Sequence, residues 1–543
     1  MSVLLEFLQS LQGALLLAVP LLYTVAALVT FANIKPSWRM ARACSAVALG
    51  FAGASLALLV FAGPLVVNTV RADALGCIVL LLVAFIGWVI TRYSQTYMGG
   101  DVGHARYTRW LMATLAAVTV VVITNNLALV ALAWVACSIA LHQLLTFFSH
   151  RPAAMIAAHK KFLASRLGDV CLFAGVALIG SSLGTLEIDQ IIAKGQTLAV
   201  YPTALKAAVY LIVVSALLKC AQLPVHGWLI QVMEAPTPVS ALLHAGIVNL
   251  GGFLLIRLSP LVSEVAGAQT LLVVVGSITA VVAALVMMTR ISVKVMLAWS
   301  TCAQMGFMLM QCGLGAYELA LLHLVAHSLY KAHAFLAAGG AVEQARLKAM
   351  TGQQEQPSLS MLAVGAASGL VMVAAAGMLW GTSFDTLTAS WVLAIIVALA
   401  LAPLLTAQAL RLKGLWPLGM MLGAFGVAFA YFGLHHLFAP VAAVPQSGND
   451  TGNVNTFDLV WVLLCFVLLF AMQCLIRARP RGAVASKLYP WFYSGLYLDE
   501  AFTRMTFRIW PAKFSTSTST STSTSTSTST SASSTPPTSG ASK

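Results

Sequence analysis

The sequence predicts an all-α polytopic membrane protein of about 15 transmembrane helices, with two inverted five-helix repeats containing broken helices. Three observations lead there. Hydrophobic residues make up 60% of the 543 and charged residues only 8%, against roughly 25% charged in soluble domains. Apolar runs recur from Leu15 to Gln473, each about twenty residues long and so able to cross a bilayer. Basic residues also alternate between loops. Lys35, Arg39 and Arg42 follow the first span, Arg92, Arg106 and Arg109 the third, and Arg151, Lys160 and Lys161 the fifth. Arg290 with Lys294, Arg346 with Lys348, Arg411 with Lys413, and Arg477 with Arg479 and Arg481 continue the pattern. The intervening loops offer little beyond Arg71, Lys194, Lys206 and Arg257. By the positive-inside rule the N-terminus is expected outside and the C-terminus in the cytoplasm, in a cell inner membrane. The net charge of +14 is thus explained by topology and does not call for nucleic acid.

The elements follow in order. Residues 1–110 hold three spans and end in the polar segment TRYSQTYMGGDVGHARYTRW. Residues 110–260 form the first five-span repeat and 261–411 the second. An odd number of spans per unit inverts the second copy. Residues 412–480 hold the last membrane helices. Residues 481–514 form a cytoplasmic amphipathic docking segment rich in aromatics: Tyr489, Trp491, Phe492, Tyr493 and Tyr497. Headgroups and protein interfaces both favour aromatics; Asp499 and Glu500 favour a protein, since anionic lipid repels them. The Ser/Thr-rich tail, 515–543, cannot bury a core and is expected to be disordered. The first span lacks a basic n-region and a small-residue cleavage site, so no cleavable signal peptide is expected.

Several chemistries are excluded by composition. The nine cysteines are scattered singly, with no CxxC and no Cys/His cluster, which argues against iron–sulfur and zinc sites in this chain. No P-loop occurs and no GxGxxG follows a strand, so no nucleotide cofactor is expected. The chain is read as a transport or ion-coupling subunit, with catalysis, if any, in a partner.

Ionisable groups at membrane depth are costly, about 2.5–3.5 kcal/mol each on insertion scales, and usually mark a partner or a water path. The stretch LLKCAQLPVHGWLIQVMEAPTPVSALLHAGIVNL puts Lys219 in an apolar helix and Pro224 where that helix should continue. Glu234 lies in a Pro-rich joint with Pro236 and Pro238, and His244 in the next apolar helix. A proton-handling site and a structural lysine–glutamate pair both fit. A second constellation, LLHLVAHSLYKAHAFL, carries His323, His327 and Lys331. Their i, i+4, i+8 spacing stacks them over about 12 Å of one helix face. Imidazole both donates and accepts near neutral pH, so the stack suits a proton relay; histidines capping carbonyls at a helix bend are the alternative. In KFLASRLGDV, Arg166 and Asp169 are spaced for an i, i+3 ion pair near the interface, or for a point where protons arrive. Lys294 and Asp385 complete the candidate supporting groups.

These segments resemble the antiporter-like subunit family shared by complex I and Mrp-type cation/proton antiporters. KCAQLPVHGWLIQVMEAPTPVSALLHA matches its main signature, STCAQMGFM and HLVAHSLYKAHAFL the next two, and RYSQTYMGGD and SRLGD smaller ones. The likeness runs over most of 60–345 and recurs weakly near Tyr493–Phe502. It implies that Lys219 is the proton lysine, His244 its neighbour, and His323, His327 and Lys331 a central hydrophilic axis. Two departures stand out. The family's span-five glutamate, normally the partner of that lysine, falls at Val135, and the span-twelve ionisable group expected near Gly381–Phe384 is missing, with Asp385 the nearest. The compact pattern looks most like the membrane subunit of two-component inorganic carbon pumps. That branch implies a heterodimer with a cytoplasmic, zinc-containing, carbonic-anhydrase-like partner, DabA, and a role in CO2 or bicarbonate uptake. The alternative is a proton-translocating antiporter subunit of a complex I, a membrane-bound hydrogenase or an Mrp Na+/H+ antiporter, assembling with other antiporter-like membrane subunits.

Overall fold

Helix order follows the hydrophobic runs closely. The computed structural model describes residues 2–32, 38–67, 69–340, 350, 357–382, 388–406, 416–441 and 455–510. Asp385 and the Ser/Thr-rich stretch 515–543 lie outside the described residues.

Three long helices come first: Ser2–Ala32 (α1), Trp38–Ala62 (α2) and Ala74–Tyr97 (α3). Between α2 and α3 sit the short antiparallel strands Leu65–Val67 (β1) and Val70–Ala72 (β2), with Leu65 opposite Ala72. Asp73 starts α3 by accepting from the Gly76 amide (2.8 Å), which satisfies an otherwise orphaned donor. Next come His104–Ile123 (α4), Leu127–Leu145 (α5) and Pro152–Leu183 (α6). Asn126 caps α5 through the Ala128 and Leu129 amides (3.0 and 3.2 Å). Gly184 ends α6 in the left-handed region (φ 67°), where glycine carries no Cβ penalty. The short Ile188–Thr197 (α7) leads to Thr203–Lys219 (α8).

The chain is then broken twice. Gly227–Gln231 (α9) follows a non-helical joint, and Thr237–Ala245 (α10) and Leu250–Arg257 (α11) form one interrupted span. Pro224 lies in the first joint, Pro236 is the N-cap of α10, and Pro238 falls in its first turn, where a missing N–H costs nothing. After Ser259–Val262 (α12) come Ala266–Met287 (α13), Val293–Gly313 (α14) and Tyr317–Leu336 (α15). Leu359–Leu379 (α16), Ala389–Leu401 (α17), Trp416–Phe438 (α18) and Thr456–Ala478 (α19) follow, then Ala483–Tyr493 (α20) and Leu498–Ile509 (α21).

Twelve helices among the described residues are long and apolar enough to cross a membrane, against about 15 expected spans. The difference has a physical basis. At 17 and 13 residues, α8 and α17 are short. At 20 residues α15 is long enough, but Glu318, Lys331 and three histidines make it polar. Two further expectations need correction. Because α6 begins at Pro152, Lys160 and Lys161 are buried two turns inside a helix and are not loop charges. Arg257, also counted as a loop residue, is buried at the end of α11.

Arg257 pairs with Asp73, which also holds Arg71 (2.8 Å), so one carboxylate joins β2, α3 and α11. Burial raises the affinity of that carboxyl for a proton, but the two guanidiniums outweigh it and hold Asp73 below its ordinary value. Its stabilising contribution is therefore present at neutral pH and fades as pH falls through the lowered folded value.

Small residues allow a close helix contact between α13 and α14. A Cβ at Gly276 on α13 would lie 2.6 Å from the Gly306 carbonyl oxygen on α14, and a Cβ at Gly306 would lie 2.6 Å from that of Gly276. Such reciprocal close approach is how membrane helices gain packing energy without a hydrophobic driving force. Replacing either glycine by alanine is expected to push the helices apart and cost about 1–3 kcal/mol. The check is the thermal midpoint of the detergent-solubilised protein, which should fall for Gly276→Ala and Gly306→Ala alike.

Candidate ion-transfer site

The break after α8 builds the first half of the site. Ala221 adopts a left-handed backbone (φ 52°) and Pro224 has no amide hydrogen to donate, so helical hydrogen bonding cannot continue. Backbone groups freed at this depth need partners inside the protein. Leu223 N donates to Thr279 Oγ1 (3.2 Å) and Cys302 Sγ donates to the Ala221 carbonyl (3.2 Å). Lys219 is thereby left on the last turn of α8, buried, with its ammonium directed at α6.

There it meets Asp169. The two side chains form a buried, hydrogen-bonded ion pair, and the Arg166 guanidinium lies 2.7 Å from the second carboxylate oxygen. Asp169 is only 4% exposed, whereas the Arg166 side chain keeps 31%, so the carboxylate is buried with Lys219 and the guanidinium reaches it from the partly open side. The expected absence of an acid partner in the first repeat is corrected. Val135 occupies the family's glutamate position, and the carboxylate comes from α6 instead. The neighbouring Trp134 lies under the Lys219 ammonium (4.5 Å to the ring) and adds a cation–π contact. Gly168 makes room for the lysine stem, since a Cβ there would meet Lys219 Cε and Cγ at 3.3 Å. About two turns before Asp169 on α6, Lys161 Nζ donates to Ser138 O (2.8 Å) and Oγ (2.7 Å) on α5. His142 packs on Phe162 (5.4 Å between rings).

Glu234 does not belong to this cluster. It faces Arg151 at 3.7 Å, with both side chains nearly half exposed, which removes the reading of a Lys219–Glu234 structural pair. Lys294, at the start of α14, donates to Thr237 Oγ1 (2.8 Å) at the start of α10 rather than pairing with a carboxylate.

The second half of the site lies between α10, α14 and α15. His244 is fully buried and stacks on Phe335 (4.4 Å, 20°). His323 Nδ1 is 3.0 Å from Gln311 Oε1, and its ring centre is 6.0 Å from that of His327. Lys331 Nζ donates to the Leu297 carbonyl (3.2 Å) and is 0% exposed. His244 and Lys331 are close enough for their charges to interact. Neither ring nitrogen of His244 or His327 has a protein hydrogen-bond partner among the described residues. At the far end of α15, Glu318 Oε1 lies 3.3 Å from His435 Nδ1 on α18.

Sequence reasoning missed Trp134, Lys160, His226 and Asp499. Trp134 and His226 stood inside recognised motifs and could have been singled out there. Asp499 meets Lys160 across 339 residues, and no local pattern reports such a contact.

A kinked helical bundle with a buried lysine–carboxylate pair and an intramembrane histidine–lysine row is the architecture of an antiporter-like membrane subunit. The family described as NADH:quinone oxidoreductase/Mrp antiporter, transmembrane, matches residues 124–377, and that of the complex I chain 5 N-terminus matches 66–108. The probable inorganic carbon transporter subunit DabB of Hydrogenovibrio crunogenus is 39% identical over 507 residues, 92% of this chain and 95% of that one. A second DabB subunit, from Halothiobacillus neapolitanus, is 38% identical over 458 residues, covering 82% and 81%. The chain belongs to the DabB family of inorganic carbon transporter subunits. Among solved structures, the Mrp complex from a Dietzia species shares the fold with a TM-score of 0.60 at 22% identity, over 93% of this chain and 59% of that one. The archaeal membrane-bound sulfane sulfur reductase gives 0.56 at 18% identity, over 91% and 99%.

Removing one member of a buried pair strands the other. Asp169→Asn is expected to destabilise the protein by about 3 kcal/mol, because Lys219 and Arg166 lose their shared counter-ion. The double variant Asp169→Asn with Lys219→Met should recover most of that loss. Equal denaturation midpoints for the single and double variants would show that the pair is not energetically linked.

Proposed function

We propose that this chain is the proton- or cation-conducting membrane subunit of an energy-coupled inorganic carbon uptake complex. In this reading it couples ion flux to a cytoplasmic, zinc-containing DabA-like partner that hydrates CO2 to bicarbonate. The reading is carried by one observation: a DabB-family chain keeps a buried Asp169–Lys219 pair beside the row of His244, Lys331, His327 and His323. A chain that served only as an anchor would have no use for so many costly groups at membrane depth.

The mechanism follows from the geometry. Lys219 can hold a proton only while Asp169 compensates it, so a change in the Arg166–Asp169 contact alters how readily the proton leaves. Water joining the unpartnered nitrogens of His244 and His327 would carry it along α15 toward His323 and Gln311. Each elementary charge crossing 100 mV releases about 2.3 kcal/mol, enough to bias a partner's cycle by roughly fiftyfold. In this reading, by the positive-inside rule, the N-terminus lies outside and α20–α21 on the cytoplasmic side. The DabA-like partner would dock on α20, whose Tyr489, Trp491 and Tyr493 are exposed. A membrane antiporter subunit assembling with other such subunits is the competing reading. Purification from detergent separates the two, by a soluble zinc protein or by further membrane subunits in the complex.

Lys219→Ala should abolish growth of a carbonic-anhydrase-deficient host at ambient CO2, with the chain still inserted at normal amount. Unimpaired growth would remove Lys219 from the pathway. A continuous relay also predicts non-additivity. Alanine at His323, His327 or Lys331 alone should cost about as much flux as all three together, because a broken chain conducts nothing. Mild, additive losses would instead assign the three residues to structure.

A further inference from the structure

The groups described above stop short of the end of the bundle that carries the basic loops. At that end the C-terminal strip folds back on its own chain. Gly495, Leu496 and Tyr497 all take positive φ (62°, 56° and 58°), which reverses the direction between α20 and α21. Phe502 and Thr506 on α21 are buried, and Trp510 stacks flat on His159 of α6 (4.1 Å, 11°). Asp499, in the first turn of α21, therefore faces inward and not toward a partner. Its Oδ1 accepts from Lys160 Nζ (2.8 Å) and its Oδ2 from Gln231 Nε2 (2.8 Å). The fit over α9 is so close that a Cβ at Gly227 would lie 1.5 Å from Asp499 Oδ1. Lys160 is 0% exposed, whereas the Asp499 side chain keeps 27%. The carboxylate is thus the wet member of the pair and the lysine the dry one.

Behind them sits His226, buried and tilted on Trp299 (4.9 Å). Its Nδ1 is 3.3 Å from the Pro224 carbonyl, an arrangement that makes Nδ1 the donor. Nε2, which has no protein partner, is left as the acceptor. Asp499 and Lys160 both lie close enough for their charges to act on this ring.

We propose that Asp499 is the carboxylate through which protons leave the conducting path at the basic end, and that α21 is the seated lid that carries it. The inference rests on the ion-conducting reading above. Lys160 gives its proton to the Asp499 carboxylate it already contacts, which leaves a buried neutral amine beside a neutral acid. The amine takes the proton that has arrived on His226 Nε2, and Asp499, the wet member of the pair, releases its own to water. The ion pair is restored with one proton moved to the cytoplasmic side.

The test compares ion flux in vesicles containing the intact complex. Asp499→Asn should lower flux on the order of 10²-fold, the usual worth of a positioned proton-transfer group, and Asp499→Glu should restore it. Asp499→Asn combined with Lys160→Met removes both charges. It should recover any thermal stability lost in Asp499→Asn but leave flux low. Wild-type flux in Asp499→Asn, or recovered flux in the double variant, would reduce Asp499 to a tether and overturn the proposal. Gly227→Ala alters no titratable group, yet it should displace the carboxylate, lower flux and speed trypsin cleavage at Arg508. Faster cleavage with undiminished flux would rule out the lid. Wild-type and Lys219→Ala complexes measured in parallel keep the two questions apart. A wild-type complex that carries no flux sinks the conducting reading itself, whereas flux abolished by Lys219→Ala but untouched by Asp499→Asn overturns only the role of Asp499.

Discussion

One buried charge governs the architecture around it. The Lys219 ammonium sits where water cannot solvate it, so its cost must be met by the protein. Four features of the bundle do this together. The helix stops at Lys219, which frees the side chain to leave the α8 axis. Gly168 lets α6 approach the lysine stem, and the Ser215 hydroxyl donates to the Gly168 carbonyl (2.7 Å) to hold the two helices in register. Asp169 supplies the counter-charge, and Trp134 lines the remaining side. Each is placed by backbone geometry rather than by flexible reach, so the charge is held in one position while remaining able to exchange a proton.

The two lysine sites differ in kind. Lys219 has a carboxylate and a guanidinium within contact distance, so its charge is compensated locally. Lys331 has a backbone carbonyl, and among the described residues no carboxylate lies within ion-pair distance. A compensated lysine favours holding a proton, and an uncompensated one favours passing it on. In the proposed conducting role, that asymmetry would give transfer between the two halves a direction. With Val135 where the resemblance implies a span-five glutamate, the carboxylate beside Lys219 is Asp169 of the SRLGD segment on α6.

Much of this was legible in the sequence, for identifiable reasons. Membrane spans announce themselves because bilayer thickness fixes the length of an apolar run. The stacking of His323, His327 and Lys331 follows from helical periodicity alone, and the break at Pro224 from a missing donor. Arg166 and Asp169 were read as neighbours three residues apart, and they are. Their burial beside Lys219 was not legible, because it depends on how α6 crosses α8. In the C-terminal strip the expected aromatics Tyr489, Trp491, Tyr493 and Tyr497 are exposed, but Asp499, read as favouring a partner, is held by its own chain. The buried Phe502 turns the same way.

The sequence by itself determined the class of protein, the succession of helices and the short list of ionisable groups, since each depends on local composition or spacing. Only the tertiary structure decided which of those groups meet. Asp169 rather than Glu234 compensates Lys219, and Asp499 closes on Lys160 after 339 residues of intervening chain. Pairing between distant charges is set by helix crossings and by the positive-φ turn before α21. Those depend on packing across the whole bundle, and no window of sequence contains them.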